Sequence, residues 1–208
     1  MKLYSSRAFV ISHLLLSVHR PTTKTVWSSL PVTPFHYPVA YVLYKLRANF
    51  SLPGLIVGSM VPDLEIPFII LLLGTEVPHR LVLHSLLGAV TIGTALSIAI
   101  TVLVYPRLTS AIFPIDKQKV KEKCTFSLGL AVSCLLGVLS HVLLDVTNHL
   151  YNPVFWPFLA LNETPSPIVP LLGGEATASL LMHTLMVVLF IGLFANKRKN
   201  FWDQLLVE

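Results

Sequence analysis

The sequence predicts an all-α protein, a polytopic membrane helical bundle of about four spans plus a short N-terminal half-helix. The composition and the length of the apolar stretches together predict this class. Of the 208 residues, 54% are hydrophobic and only 12% are charged, and the mean hydropathy is +0.73. Soluble globular domains carry about 25% charged residues. The composition therefore excludes an ordinary soluble domain and indicates an integral membrane protein.

Four apolar stretches follow one another along the chain: Leu52 to Leu73, Leu81 to Val104, Phe126 to Val146 and Ala176 to Ala195. A hydrocarbon core about 30 Å thick needs roughly 20 residues of helix, and the last three stretches supply that length without interruption. The first stretch contains the polar segment "PDLEIP". We therefore expect three regular spans and one broken span.

Basic residues fall on one side of the membrane if the four stretches alternate in direction. Lys45 and Arg47 precede the first stretch, "RLTSAIFPIDKQKVKEK" separates the second from the third, and "NKRKN" follows the fourth. Basic loops favour the cytoplasm, which predicts a multi-pass protein of the cell membrane. These loops also explain the net charge of +5, so the expected partner is the lipid bilayer and not nucleic acid. The sequence does not indicate an oligomeric state.

The chain divides into an N-terminal extension (1–29), a single membrane-embedded helical domain (30–200) and a C-terminal tail (201–208). In the extension, "AFVISHLLLSV" is too short to span a membrane. The basic residues ahead of it resemble a signal peptide, although no A-x-A-like cleavage site follows. A dispensable extension, an interfacial anchor and a signal peptide all remain open. We expect deletion of residues 1–29 to leave folding intact.

Ionisable residues inside apolar stretches are costly, so each of them is a candidate functional residue. Asp63 and Glu65 lie between two prolines, which interrupt the helical hydrogen bonds. Irregular backbone at membrane depth is tolerated where it lines a polar interior. Two carboxylates at such a break suit an internal polar site. The alternative is a kinked span whose acids pair with Arg47 or Arg80.

The segment "LSHVLLDVTNHL" places His141, Asp145 and His149 four residues apart. On a helix these positions share one face, and two imidazoles with a carboxylate resemble metal ligands. His84 is predicted about one turn into the second span, with His79 in the loop before it, at the same end of the bundle as this triplet. The alternative for His84 is a core histidine that only satisfies packing.

His36 precedes an apolar segment from Tyr37 to Leu46 that is predicted to form the half-helix. About 11 helical residues cover roughly 16 Å, so a half-helix that runs toward the basic side would bring His36 near the other candidates. The alternative is that His36 caps a surface helix. His183 has no acidic neighbour at i±4 and is predicted to be structural, as are Cys124 and Cys134, whose spacing matches no zinc motif.

Imidazole and carboxylate donors without thiolate favour zinc, with manganese or iron as alternatives. So many donors suit two ions, or one ion whose imidazoles are oriented by further carboxylates. Two ions about 3.5–4 Å apart are the usual arrangement for phosphoester hydrolysis. The predicted metal ligands are His36, Asp63, His79, His84, His141, Asp145 and His149.

Taken in order, "TPFHYP", "GSMVPDLE", "HRLVLHS" and "SHVLLDVTNH", followed by "FWPF", resemble the motifs of small membrane-bound metal-dependent hydrolases. These are the YdjM-like group and a related domain family of unknown function. The resemblance covers about residues 31–195. It implies a metal site built from the matching positions of this chain: His36, Asp63, Glu65, His79, His84, His141 and Asp145.

The leading hypothesis is an integral membrane metal-dependent hydrolase of a phosphoester or lipid-like ester. Its di- or multinuclear site would lie toward the non-cytoplasmic face. Asp63 or Glu65 would be the general base, and Arg80 would bind a phosphate through its bidentate fork or only snorkel to the interface. One alternative is an ion or metal transporter, for which an inverted repeat is expected and none is found. Another is a non-catalytic metal-binding membrane protein, and a third is a protein whose histidines only fix helix packing.

Overall fold

The computed structural model describes residues 33–47, 49–74, 78–195 and 200–208, so the prediction for residues 1–29 lies outside it. Within these ranges the chain is all-α, which confirms the predicted class. Four helical segments are long and apolar enough to cross a membrane. They are named here the first to fourth spans: Leu52–Leu73, Leu86–Leu103, Leu128–Asn148 and Glu175–Phe194.

The first span is interrupted by one tight turn and then continues as a helix. Its first part is the helix Leu52–Met60. Ser51 caps the start of this helix, since its hydroxyl accepts a hydrogen bond from the Gly54 amide at 3.2 Å. A 3₁₀ turn covers Pro62–Leu64, and the helix resumes over Glu65–Leu73. The two carboxylates of the segment therefore lie at the break, as the prolines predicted.

The second span begins later than the sequence indicated. Its helix starts at Leu86 because Ser85, in extended backbone conformation, caps the helix by accepting from the Gly88 amide at 3.0 Å. A π-helical turn over Ala89–Gly93 precedes the regular helix. The prediction that His84 lies one turn inside this span is therefore wrong, because His84 belongs to the turn that leads into it.

The predicted half-helix is present as Tyr37–Leu46. A 3₁₀ turn, Thr33–His36, leads into it, so His36 lies at one end of the half-helix and Lys45 at the other. The half-helix packs mainly against the first and fourth spans. This arrangement brings His36 to the interior of the bundle, where it is only 3% exposed, and not to a surface.

The first and third spans make the closest packing in the bundle. A Cβ atom added to Gly58 would lie 2.5 Å from the carbonyl oxygen of Cys134, and one added to Gly137 would lie 2.6 Å from that of Leu55. Only glycine permits this approach of two backbones. It places Ser59, at the end of the first helical segment, directly beside His141 of the third span.

Three short helices lie at the basic end of the bundle: Tyr105–Ile112, Lys117–Lys123 and Phe201–Leu206. The last of them belongs to the predicted tail, which packs against the bundle and leaves Val207 fully buried. Cys124 is buried at the same end, and burial, followed by the neighbouring Cys134, raises the pKa of its thiol to about 12. Cys124 packs in the hydrophobic core at this end of the bundle.

Candidate metal centre

Four side chains from the break in the first span, the turn before the second span and the third span converge in the interior. The Nε2 atom of His84 lies 3.7 Å from Asp63 Oδ1 and 3.6 Å from Asp145 Oδ2. The Nε2 atom of His141 lies 3.5 Å and 3.6 Å from the same two oxygens. All four residues are at most 7% exposed. Two imidazoles and two carboxylates therefore face one small space.

None of these four donor atoms has a hydrogen-bond partner among the described residues. Buried polar atoms normally have a hydrogen-bond partner. Four potential ligand atoms without one in the same place therefore suggest a partner that they share. Donors bound about 2.1 Å from a tetrahedral zinc ion lie about 3.4 Å apart. The four histidine–aspartate distances, 3.5–3.7 Å, are close to that value. The donor atoms fall into two triplets whose members lie within 4.8 Å of one another: His84, His141 and Asp145, and His36, Asp63 and His141. The cluster therefore fits divalent cations held by histidine and aspartate.

Two further imidazoles approach the other oxygen of Asp145. The distance from its Oδ1 atom is 3.9 Å to His36 Nε2 and 4.0 Å to His149 Nε2. His36 also stacks on His141, with ring centroids 4.0 Å apart. In addition, His36 belongs with Asp63 and His141 to one of the two triplets of donor atoms within 4.8 Å. The arrangement therefore offers donors for a second ion beside the first.

The Nδ1 atoms of three histidines are occupied on the side away from the cluster. His84 Nδ1 lies 3.0 Å from Glu65 Oε2, His141 Nδ1 lies 2.7 Å from the Ser59 carbonyl oxygen, and His149 Nδ1 lies 3.3 Å from Glu175 Oε1. An Nδ1–H that donates to an acceptor leaves Nε2 with its lone pair available to a metal. The surroundings thus orient each ring with Nε2 toward the cluster.

Glu65 lies behind His84 and does not face the cluster with the other donors. Its carboxylate accepts the backbone N–H groups of the turn before the second span, at distances of 2.6–3.1 Å: Leu81, Val82 and Leu83. One carboxylate therefore holds both this turn and the His84 ring. The sequence predicted Glu65 as a catalytic residue, and the structure gives it the contacts of a residue that positions others.

Arg80 and His79 precede His84 in the same turn. Arg80 Nε lies 3.4 Å from Asp145 Oδ2, and the Arg80 side chain is 16% exposed. The sequence left open that Arg80 pairs with the acids of the first span. In the structure Arg80 forms its ion pair with Asp145 of the third span instead. His79 has a buried Nε2 atom without a hydrogen-bond partner, but it belongs to neither described group of donors within 4.8 Å.

The end of the third span differs from the sequence prediction. The helix ends at Asn148, and His149 follows it in extended conformation, so it does not share the helical face of His141 and Asp145. Asn152 fixes this end, since its Nδ2 group donates to the carbonyl oxygens of Asp145 and His149 at 3.2 Å and 2.9 Å. The polar run "TNHLYN" was the available signal for such a cap.

Glu175 is not among the residues that the sequence singled out. It is the first residue of the fourth span, and its contact with His149 links that span to the cluster. His183, in the middle of the fourth span, lies outside both donor groups. Its Nδ1 atom lies 2.6 Å from the carbonyl oxygen of Ser179, one turn earlier.

Comparison with known proteins places the chain in a family. Residues 36–207 match the family described as YdjM inner membrane protein. No curated protein and no solved structure matches the chain. The matched region begins at His36 and contains all four spans and every donor of the cluster. The chain therefore belongs to the YdjM inner membrane protein family, and its four spans make it a multi-pass membrane protein.

Proposed function

We propose that the protein is an integral membrane metal-dependent hydrolase that acts on a phosphoester, with a lipid-borne ester as the favoured substrate class. The observation that carries this proposal is the set of buried side-chain atoms of Asp63, His84, His141 and Asp145 that have no hydrogen-bond partner among the described residues, with histidine–aspartate distances of 3.5–3.7 Å. Buried charge in a membrane protein is retained where function needs it. Imidazole with carboxylate is a donor set that zinc accepts, and manganese and iron are alternatives.

His84, His141 and Asp145 would hold one ion, and His36 and Asp63, which form the other triplet with His141, would contribute to a second. His149, with its Nε2 atom 4.0 Å from Asp145 Oδ1, lies beside them. When bound, such ions supply Lewis-acid polarisation of a phosphoryl oxygen and lower the pKa of water. The residues behind the histidines hold the ring planes. The glutamate behind His84 forms the carboxylate–histidine pair that commonly orients a zinc ligand.

Asp63 is better placed than Glu65 to accept a proton from an attacking water. Both carboxylate oxygens of Asp63 lack a hydrogen-bond partner among the described residues. Both oxygens of Glu65 already accept backbone N–H groups. A general base needs a free lone pair within reach of the proton that it takes. We therefore assign the general base to the Asp63 Oδ2 atom, since Oδ1 is the oxygen that faces His84 and His141, and a positioning role to Glu65.

Arg80 supports a phosphate as the anionic part of the substrate. Its NH2 group is buried without a hydrogen-bond partner among the described residues, its Nε atom lies 3.4 Å from Asp145 Oδ2, and the side chain retains 16% exposure. A guanidinium fork matches two phosphate oxygens. Replacing Arg80 by lysine keeps the charge and removes the fork, so we expect weaker substrate binding with metal content unchanged.

A small pocket between the third and fourth spans borders His36. Four of its seven lining side chains are apolar. Asn148 contributes an unpaired buried Oδ1 atom to the same pocket. The lining residues are Phe35, His36, Leu144, Asn148, Met182, His183 and Met186.

The test is hydrolysis by detergent-purified protein, stripped of metal and reloaded with zinc or manganese. The substrates are p-nitrophenyl phosphate, bis-p-nitrophenyl phosphate and phosphatidic acid in mixed micelles. We expect metal-dependent hydrolysis of at least one of them. The double variant His141→Ala/Asp145→Ala should lose the activity, and Glu163→Gln, which changes an exposed residue outside the donor groups, should retain it.

Equal hydrolysis by the wild type and the double variant would assign the activity to a contaminant and contradict the proposal. Metal-loaded protein that hydrolyses none of these substrates would favour the transport alternative, because the broken first span places the donors at a helix interruption as in many transporters. Zinc uptake into proteoliposomes that is lost in the double variant would then establish that alternative.

A further inference from the structure

The last eight residues form a strap across the basic end of the bundle. The strap, defined here as residues 201–208, consists of the short helix Phe201–Leu206 followed by Val207 and Glu208. Val207 is fully buried. A segment of this length has little stability of its own, so its contacts with the bundle hold it in place.

Four side chains of the half-helix donate hydrogen bonds to the strap. Tyr37 donates to the Leu205 carbonyl oxygen at 2.7 Å. Tyr41 and Lys45 donate to the Glu208 carboxylate at 2.9 Å and 2.6 Å. Tyr44 completes the set with a bond to the Glu208 main-chain oxygen at 3.1 Å. Burial acts to lower the pKa of Lys45, but the hydrogen bond and charge of Glu208 outweigh it, and the pKa is raised.

A second set of contacts anchors the strap to the segment between the second and third spans. Tyr105 donates to the Leu206 carbonyl oxygen at 2.8 Å, and Lys119 lies 3.4 Å from Asp203. Lys123 donates to the Glu208 main-chain oxygen at 2.7 Å. The strap therefore bridges the half-helix to a separate part of the fold.

His36 lies at the opposite end of the half-helix, and its side chain makes few contacts that would fix its position. The Nδ1 atom of His36 is buried without a hydrogen-bond partner among the described residues, unlike the Nδ1 atoms of His84, His141 and His149. Its ring is held by stacking on His141. The next residue is Tyr37, whose hydroxyl is bonded to the strap.

We propose that the strap is a positioning device for His36: it fixes the half-helix from the basic face and so sets the distance of this imidazole from the cluster. Loosening the contact between the half-helix and the strap would lower metal affinity without altering any donor of the cluster. Tyr37 is the positioning residue that couples the two ends. This inference rests on the proposed metal site.

The test compares Tyr37→Phe with Tyr105→Phe. Both tyrosines are at most 7% exposed, and each donates one hydrogen bond to a strap carbonyl oxygen, at 2.7 Å and 2.8 Å. The Tyr37→Phe change keeps the ring that contacts Phe190 and Phe194. The two variants therefore remove the same kind of bond from the same strap, but only one of them acts on the half-helix.

Zinc affinity is measured by competition with a chelating dye, and backbone hydrogen exchange is measured over residues 37–46. We expect Tyr37→Phe to weaken zinc binding about 10-fold, the lower end of the effect of residues that orient ligands, and to speed exchange of the half-helix. For Tyr105→Phe, zinc affinity and the exchange rate of the half-helix should both stay within about twofold of the wild type. This should hold even if the two variants lower the thermal midpoint equally.

Equal losses of zinc affinity in the two variants would make the strap a general brace and overturn the inference. Unchanged affinity in both would also overturn it. Failure of the wild type to bind zinc is a different result, because it refutes the proposed metal site. In that case exchange still decides whether the strap holds the half-helix, since faster exchange only in Tyr37→Phe supports the coupling and equal exchange contradicts it.

Discussion

At the scale of single residues, the two carboxylates of the broken span have different surroundings although they lie two positions apart. Asp63 faces the cluster with both oxygens unpaired. Glu65 points toward the turn before the second span. There its carboxylate accepts hydrogen bonds from three backbone N–H groups and lies within hydrogen-bond distance of His84 Nδ1. The sequence predicts both acids at the break because the prolines are visible. It cannot predict their division of roles, which depends on where the amides of a distant turn come to lie.

Replacing Glu65 by glutamine tests this division. The amide keeps the size but offers one acceptor oxygen in place of two, and it loses the charge that faces His84. We expect zinc affinity to fall about 10–100-fold, the range for residues behind a metal ligand, as measured by dye competition. Glu163→Gln is the matched control, since Glu163 is exposed and, among the described residues, its side chain accepts one hydrogen bond, from the Ala160 amide. Unchanged affinity in Glu65→Gln would contradict the positioning role.

At the scale of elements, the contact between the first and third spans determines where the cluster forms. Ser59 and His141 face each other only because two backbones meet at Gly58 and Gly137. The sequence predicts these spans from apolar length alone, which is insensitive to their mutual register. It also predicts the half-helix correctly. Its errors fall at helix ends, at His84 and His149, where a serine cap and an asparagine override the apolar pattern.

The alanine substitution of Gly58 tests the importance of this contact. The new Cβ atom would lie 2.5 Å from a main-chain oxygen, so the spans must separate. Overpacking of this kind costs about 1–3 kcal/mol, and we expect a lower midpoint in thermal unfolding in detergent together with weaker zinc binding. Gly192→Ala in the fourth span is the control, since its Cβ atom meets no described atom within 4 Å. Equal midpoints for the two variants would show that the close approach is not needed.

At the scale of the whole molecule, four spans, a half-helix and a strap enclose one polar cluster in an otherwise apolar chain. The number of spans follows from composition and length. The alternation of the spans predicts that the donors lie at the same end of the bundle. It does not predict which of their atoms face one another. The strap was not predicted beyond a tail, because its tyrosine and lysine partners are spread over distant parts of the sequence.

The orientation of the bundle remains a prediction from the basic loops. Single cysteines at Lys117 and Glu163 probe the two ends, since both positions are exposed, while the native Cys124 and Cys134 are at most 1% exposed and give little background. With a membrane-impermeant maleimide on sealed right-side-out vesicles, we expect labelling of Glu163→Cys at once and of Lys117→Cys only after permeabilisation. The reverse pattern would invert the topology.

The central claim is that the buried histidine–aspartate cluster holds divalent metal. The most direct measurement is elemental analysis of detergent-purified wild type beside His141→Ala/Asp145→Ala and His183→Ala. The account predicts about two zinc or manganese ions per chain in the wild type and in His183→Ala, and their loss in the double variant. Wild-type protein that is folded but metal-free after zinc loading, or a double variant that keeps its full metal content, would contradict it.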